Sequence, residues 1–221
     1  MAMPWSTRGQ RSTDVTQPPG VVSTQVLDSM VGLLAAALEM RDDETGQHTH
    51  RVTNLAMALA ERVAPDLAAD PQLRYGFLLH DIGKIGIPDA ILLKPTPLTI
   101  GEMRLMEQHT VLGAQLVRSS PFLNGVAHDV IAFHHERWDG SGYPWGLSGD
   151  EIPQAARLFA IVDSFDAMTS QRPYREPVSD DVALAEITLH AGRQFDPAVV
   201  QQFVPLAREL HQSTAGLDTA A

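Results

Sequence analysis

"IPQAARLFAIVDSFDAMTS" (residues 152–170) reads as one long apolar helix with an acid inside it. Asp163 stands among residue types that are otherwise buried. A carboxylate in such a helix is costly unless it is paired or coordinates a metal. What could partner it has to be sought elsewhere in the chain.

Working outward, the rest of the sequence is helical too. Residues 21–41 place apolar side chains at 26, 30, 33, 34, 37 and 38, one face of an amphipathic helix. A second helix runs from about His48 to Val63, with Val52, Leu55, Ala56, Leu59 and Ala60 inward. Asp70 and Pro71 open a third as N-cap and first residue, and it is expected to end near Gly83. A Pro-rich connection follows, and then Thr99 and Glu102 form a capping box for a helix over about 100–117. Another helix spans about 124–136, and a loop at 137–150 leads back to the opening stretch. Ser179-Asp180 and Asp196-Pro197 start two more, running to about His190 and Leu210. No strand pattern and no repeat is visible, so the expected fold is all-α. The domain is expected over residues 21–211, between a flexible polar leader at 1–20 and a flexible tail at 212–221.

Composition limits the chemistry. With 16 basic and 27 acidic residues in 221, the net charge is −11, which argues against a nucleic-acid footprint. A phosphate substrate remains compatible, because bound metal ions reverse local charge. There is no cysteine, so disulfides, thiolate ligands and a thiol nucleophile are excluded. No apolar run is long enough for a membrane span and no secretory signal is present, so a cytoplasmic location is expected.

Any metal must therefore be held by His, Asp and Glu. The candidates in chain order are Glu44, His48, His80, Asp81, His109, His134, His135 and Asp163. Each alone is unremarkable, since a lone helical histidine is more often a core residue and a lone buried aspartate a cap or ion-pair partner. Together they place five of the nine histidines at candidate ligand positions on separate helices. That is too many donors for one ion, and Asp81 is the natural carboxylate to bridge two or three. Carboxylates mixed with imidazoles suit iron(II), manganese or zinc. Adjacent His134 and His135 point in different directions at a helix end and so can serve different ions of such a cluster.

Three segments, "HDIGKIGIPDAIL", "HHERWDGSGYP" and "RLFAIVDSFDAMTSQRPYR", resemble the HD-GYP family of the HD phosphohydrolase superfamily, over about Leu33 to Phe203. The resemblance implies a single HD-type helical bundle with a polynuclear metal site and a GYP loop at Gly142-Tyr143-Pro144. It implies a metal-dependent phosphodiesterase that hydrolyses cyclic di-GMP to pGpG, and in many members on to GMP. The superfamily's ligand set falls on His48, His80, Asp81 and Asp163, and the additional family ligands on His109, His134 and His135. Glu44 matches a third-metal ligand, so two or three divalent ions, Fe(II) or Mn(II), are expected. Catalysis would centre on Asp81, with water activated between the ions, and on Lys84, holding a phosphate oxygen. Arg172 and Arg175 match substrate contacts, and Asp166 either contacts substrate or orients a ligand. Glu136 would accept an imidazole N–H or pair with Arg137, Arg157 would pair with carboxylates, and Lys94 lies in a "KPTP" segment where the family often has glycine at the position of Thr96.

Tyr143 and its loop have two readings: a lip on the substrate channel or docking surface for GGDEF-type cyclases, and a packed loop that holds the histidines. The helix at 21–41 either packs in the core or makes a homodimer or domain contact. The alternatives to a cyclic di-GMP hydrolase are an idle signalling module that binds nucleotide or protein, and a hydrolase of another cyclic dinucleotide such as 3′,3′-cGAMP.

Overall fold

The computed structural model describes residues 23–41, 47–171 and 176–218, with side chains followed to residue 212. The expected leader at 1–20, Glu44, Arg172, Arg175 and the last residues of the expected tail lie outside them. All regular elements are helical: α1 (Thr24–Glu39), α2 (Gln47–Val63), α3 (Pro65–Ala68), α4 (Pro71–Leu78), α5 (Asp89–Leu92), α6 (Ile100–Met106), α7 (His109–Val117), α8 (Val126–Phe133), α9 (Gln154–Thr169), α10 (Asp180–Leu189) and α11 (Pro197–Asp218). Short 3₁₀ turns cover Ile82–Gly86 and Gly149–Glu151. Among the described residues there is no strand, only two isolated bridges, and no helix is long and apolar enough to cross a membrane. The all-α expectation holds.

The local signals for helix starts are realised. Asp70 caps α4 through Gln72 N–H with Pro71 in the first turn, Thr99 and Glu102 complete the capping box of α6, and Ser179 caps α10. α9 is the spine of the core. Its Leu158, Phe159, Ile161 and Val162 are fully buried against α2, α4, α8, α10 and α11, together with Leu59, Phe77, Ile187 and Phe203. A second cluster joins α1 to α4 and α8 through Val31, Ala35, Tyr75, Leu79 and Ile131.

Four expectations are corrected. α4 ends at Leu78, so His80 and Asp81 lie in a turn ahead of the 3₁₀ segment and not in a helix reaching Gly83. The helix over 100–117 is two helices. At the break the carbonyl of Met106 accepts from His109 Nδ1 and that of Glu107 from the Thr110 hydroxyl, so side chains take carbonyls that the helical ladder would use. α11 runs on to Asp218, past the expected end at Leu210. Lastly, α1 is rotated. It buries Val31, Ala35 and Leu38 and leaves Val26, Met30, Leu33 and Leu34 exposed, Leu33 at 72%. The rotation is set by polar anchors that hydrophobic periodicity does not register: the Tyr75 hydroxyl donates to Asp28 (2.7 Å). Arg41 donates to the carbonyls of Lys84, Ile85 and Ile87 and pairs with Asp89.

The 3₁₀ segment crosses α7 with backbones in contact. A Cβ on Gly83 would meet the His109 carbonyl oxygen and come within 2.5 Å of Gly113 N. Neither neighbour is a side-chain end that could swing away. Gly83→Ala is therefore expected to cost about 3 kcal/mol or more in urea unfolding. Gly32, in mid-α1 with nothing within 4 Å of an added Cβ, should behave oppositely, and Gly32→Ala is expected to gain about 0.5–1 kcal/mol.

Candidate metal centre

Four helix ends or turns and one mid-helix position converge on one spot. The turn after α4 brings His80 and Asp81, the first residue of α7 brings His109, and the C-terminal end of α8 brings His134 with His135 next to it. The start of α2 brings His48, and the middle of α9 brings Asp163. Two groups result, Asp81 with His109, His134 and His135, and His48 with His80 and Asp163. Within each group one donor atom per residue lies within 4.8 Å of every other. All seven described candidates are thus brought together.

Asp81 lies between the groups. Its Oδ1 is 3.2 Å from His109 Nε2 and 3.8 Å from His134 Nε2, while its Oδ2 is 3.1 Å from His80 Nε2 and 2.8 Å from Lys84 Nζ. Asp163 Oδ1 stands 3.6 Å from His48 Nε2.

The tautomers follow from the backbone. His80 Nδ1 is bonded to the Phe77 carbonyl, His109 Nδ1 to that of Met106, and His134 Nδ1 to those of Val130 and Ile131. A carbonyl only accepts, so each Nδ1 carries hydrogen and each neutral ring presents a bare Nε2 inward. His109 and His134 bring these atoms within 3.3 Å of each other. Lone pair then faces lone pair beside a carboxylate, in a buried place where polar groups need partners. The donor set is that of a cation site, with imidazole and carboxylate and no sulfur.

Charge in the site is divided. Burial works against ionised Asp81, but Lys84 and His80 beside it hold its carboxyl well below the usual range. Burial pushes His134 and His135 down, His135 strongly so with His134 and His109 nearby, and both stay neutral. Burial also opposes charge on His80, yet Asp81 prevails and lifts it to about 9. A cation would take that proton's place.

Two carboxylates the sequence left open find definite places. Asp166 is buried: it accepts from His48 Nδ1 at 2.6 Å and from the Arg51 fork at 2.9 and 3.1 Å. Both of its oxygens have protein partners, and it stands behind His48, where the ligand-orienting alternative puts it. Burial opposes its charge, but His48 and Arg51 hold it to about 2. Glu136, 3% exposed, neither accepts from an imidazole nor pairs with Arg137; it accepts the backbone N–H groups of Trp145 (2.8 Å) and Leu147 (3.1 Å). Arg51 was overlooked, although its position three residues after His48 puts it on the same face of α2. Arg157 is structural, paired with Asp150 and Asp196 and lying over the Trp138 ring. Lys94 pairs with Glu102 at 2.5 Å. Tyr143 packs its ring on His135, with centroids 4.8 Å apart.

A family model described as HD domain matches residues 32–199, which hold all seven gathered donors. A cyclic di-GMP phosphodiesterase of Thermotoga maritima is 42% identical over 186 residues, covering 83% of this chain and 50% of that protein. The 3′3′-cGAMP-specific phosphodiesterase 2 of Vibrio cholerae is 40% identical over 169 residues, covering 76% of this chain and 32% of that protein. The chain thus spans half or less of the length of these relatives. Among solved structures, Bd1817, an HDG"Y"P protein from Bdellovibrio bacteriovorus, has a TM-score of 0.59 at 20% identity, covering 83% of this chain and 62% of that one, a likeness of fold. With HDIGK in the turn that delivers Asp81 and HHERWDGSGYP at the end of α8, the chain belongs to the HD-domain family, in its HD-GYP branch.

Proposed function

We propose that this domain is a divalent-metal-dependent phosphodiesterase that opens cyclic di-GMP to pGpG and cleaves that product on to GMP. The observation that carries the reading is the pocket of bare imidazole nitrogens and carboxylate oxygens around Asp81. His109, His134 and His135 would hold one ion and His48, His80 and Asp163 another, with Asp81 shared. Glu44 would add a third site. Fe(II) or Mn(II) suits these donors. Bound ions supply Lewis acidity to phosphate oxygens and make water acidic enough to attack phosphorus.

The chain's own residues do the rest. Lys84, whose ammonium already sits beside Asp81, would hold a non-bridging phosphate oxygen. Arg172 and Arg175 would grip phosphate or a guanine edge through their planar forks. Asp166 keeps His48 in one tautomer and one orientation. A complete donor set weighs against an idle module. Relatives named for cyclic di-GMP and for 3′3′-cGAMP are almost equally similar, at 42% and 40%, which keeps a related cyclic dinucleotide as the second reading. Two contacts away from the cluster belong to the same proposal. The exposed stripe of α1 supports a homodimer or domain contact, and exposed Trp145 a docking face for a GGDEF-type partner.

The test is turnover. Protein loaded with Mn(II), or with Fe(II) under exclusion of air, is expected to convert cyclic di-GMP to pGpG and GMP on chromatography. Wild-type protein that yields neither product ends the proposal, and faster loss of 3′,3′-cGAMP selects the second reading. Asp81→Asn is expected to lower kcat/KM by about 1,000-fold, roughly 4 kcal/mol in the barrier.

Asp166→Asn should weaken Mn(II) binding by about 10-fold in calorimetry, since His48 loses its charged acceptor. The same variant carries a pH signature. A carboxyl held to about 2 adds stability that is fully present above its unfolded value, about 3.9, and is lost as pH falls towards 2. The wild-type advantage over Asp166→Asn in urea midpoint should therefore shrink as the pH is lowered from about 5 to about 2.

A further inference from the structure

Four of the five clustered histidines are locked by a hydrogen bond from the ring nitrogen that faces away from Asp81. His80, His109 and His134 use backbone carbonyls, and His48 uses Asp166. His135 is different. It follows the C-cap of α8, and among the described residues its ring takes no hydrogen bond. It is held by ring packing instead. Tyr143 lies against one side, centroids 4.8 Å apart and planes inclined by 31°, and His134 lies at 4.1 Å and 44°.

The loop that carries Tyr143 is tied to the same stretch of backbone. Tyr143 N–H donates to the His135 carbonyl (3.3 Å), the buried Glu136 carboxylate takes the N–H groups of Trp145 and Leu147, and Arg137 Nε donates to Ser141 Oγ (2.9 Å). Three consecutive residues thus each hold one part of the loop. Gly142 lets the chain pass this close, because a Cβ there would lie 2.6 Å from Glu136 Cα and from the His135 carbonyl oxygen. A charged group buried only to accept two loop N–H groups is a costly anchor unless the loop must keep one shape.

We propose that the GYP loop is a positioning device for His135, in which the Tyr143 ring sets the imidazole plane and Glu136 locks the loop that carries Tyr143. The inference rests on the reading above that His135 is a metal ligand. Tyr143 and Glu136 act through His135 and are positioning residues. A loop that served as channel lip or docking face alone would leave metal binding untouched when Tyr143 is changed, and this difference can be measured without nucleotide.

The experiment is Mn(II) titration of the whole chain by calorimetry, with metal content counted after desalting, for Tyr143→Phe, Tyr143→Leu, His135→Ala and the Tyr143→Leu/His135→Ala double variant. Tyr143→Phe keeps the ring and is expected to stay within about twofold of wild type. Tyr143→Leu should weaken one class of sites by about 10-fold and leave the other unchanged, the size typical of lost ligand support. In the His135→Ala background the same change should have no further effect. Wild-type affinity in Tyr143→Leu overturns the proposal, as does an equal loss with and without His135. Should Tyr143→Leu fail to fold, Glu136→Gln asks the same question: a loss confined to one class of sites and absent without His135 supports the proposal, and unchanged affinity overturns it. Wild-type protein that binds Mn(II) but cleaves no cyclic di-GMP defeats the proposed activity and leaves this inference standing.

Discussion

The structure depends on a buried carboxylate, Asp81, crowded by more imidazole nitrogens than have hydrogens to give it. Asp81 is approached by Nε2 atoms of three histidines, and backbone carbonyls claim the Nδ1 hydrogen of each. Neutral rings in that tautomer offer only lone pairs. Lys84 and the proton that Asp81 keeps on His80 relieve part of this, but the remaining acceptors crowd together inside the protein. Such an arrangement is a poor way to stabilise a fold and a good way to bind a divalent cation.

The helices deliver these groups by their ends, and the ends are held by contacts that have nothing to do with the site's chemistry. Gly83 lets the segment after Asp81 press against the backbone of α7, which begins with His109. Arg41 gathers the carbonyls of the same segment from the end of α1. His109 and Thr110 break the long helix into α6 and α7, so that His109 stands at a helix start and reaches inward. Displacing any of these by an ångström would separate donors that now lie within 4.8 Å, which is why backbone crossings and carbonyl clamps count here as much as apolar burial.

Around the gathered donors runs a second set of fixed partners. Asp166 and Arg51 hold His48 from behind, while Tyr143 and Glu136 bracket His135 through the loop that follows it. The adjacent histidines thus differ in support. His134 is clamped by its own helix, and His135, one residue beyond the reach of that ladder, is clamped by rings. A metal that draws on both takes one ligand from regular secondary structure and one from a loop.

The all-α fold, most helix starts and the seven donors that the fold gathers were legible in the sequence because they depend on local chemistry. Caps act over two to four residues, and an acid such as Asp163 in an apolar helix declares its need wherever it lies. The rotation of α1 was not legible, since two apolar stripes compete on that helix and the choice is made by Asp28–Tyr75 and Arg41, contacts with elements distant in sequence. Nor were the roles of Asp166 and Glu136, because a buried carboxylate looks the same in sequence whether it meets an imidazole, a substrate or a loop N–H. The sequence by itself determined which residues could bind a cation. Only the tertiary structure decided which nitrogen each presents, which carboxylate lies between the two groups, and what holds His135, because those depend on hydrogen bonds and ring contacts made after the helices pack.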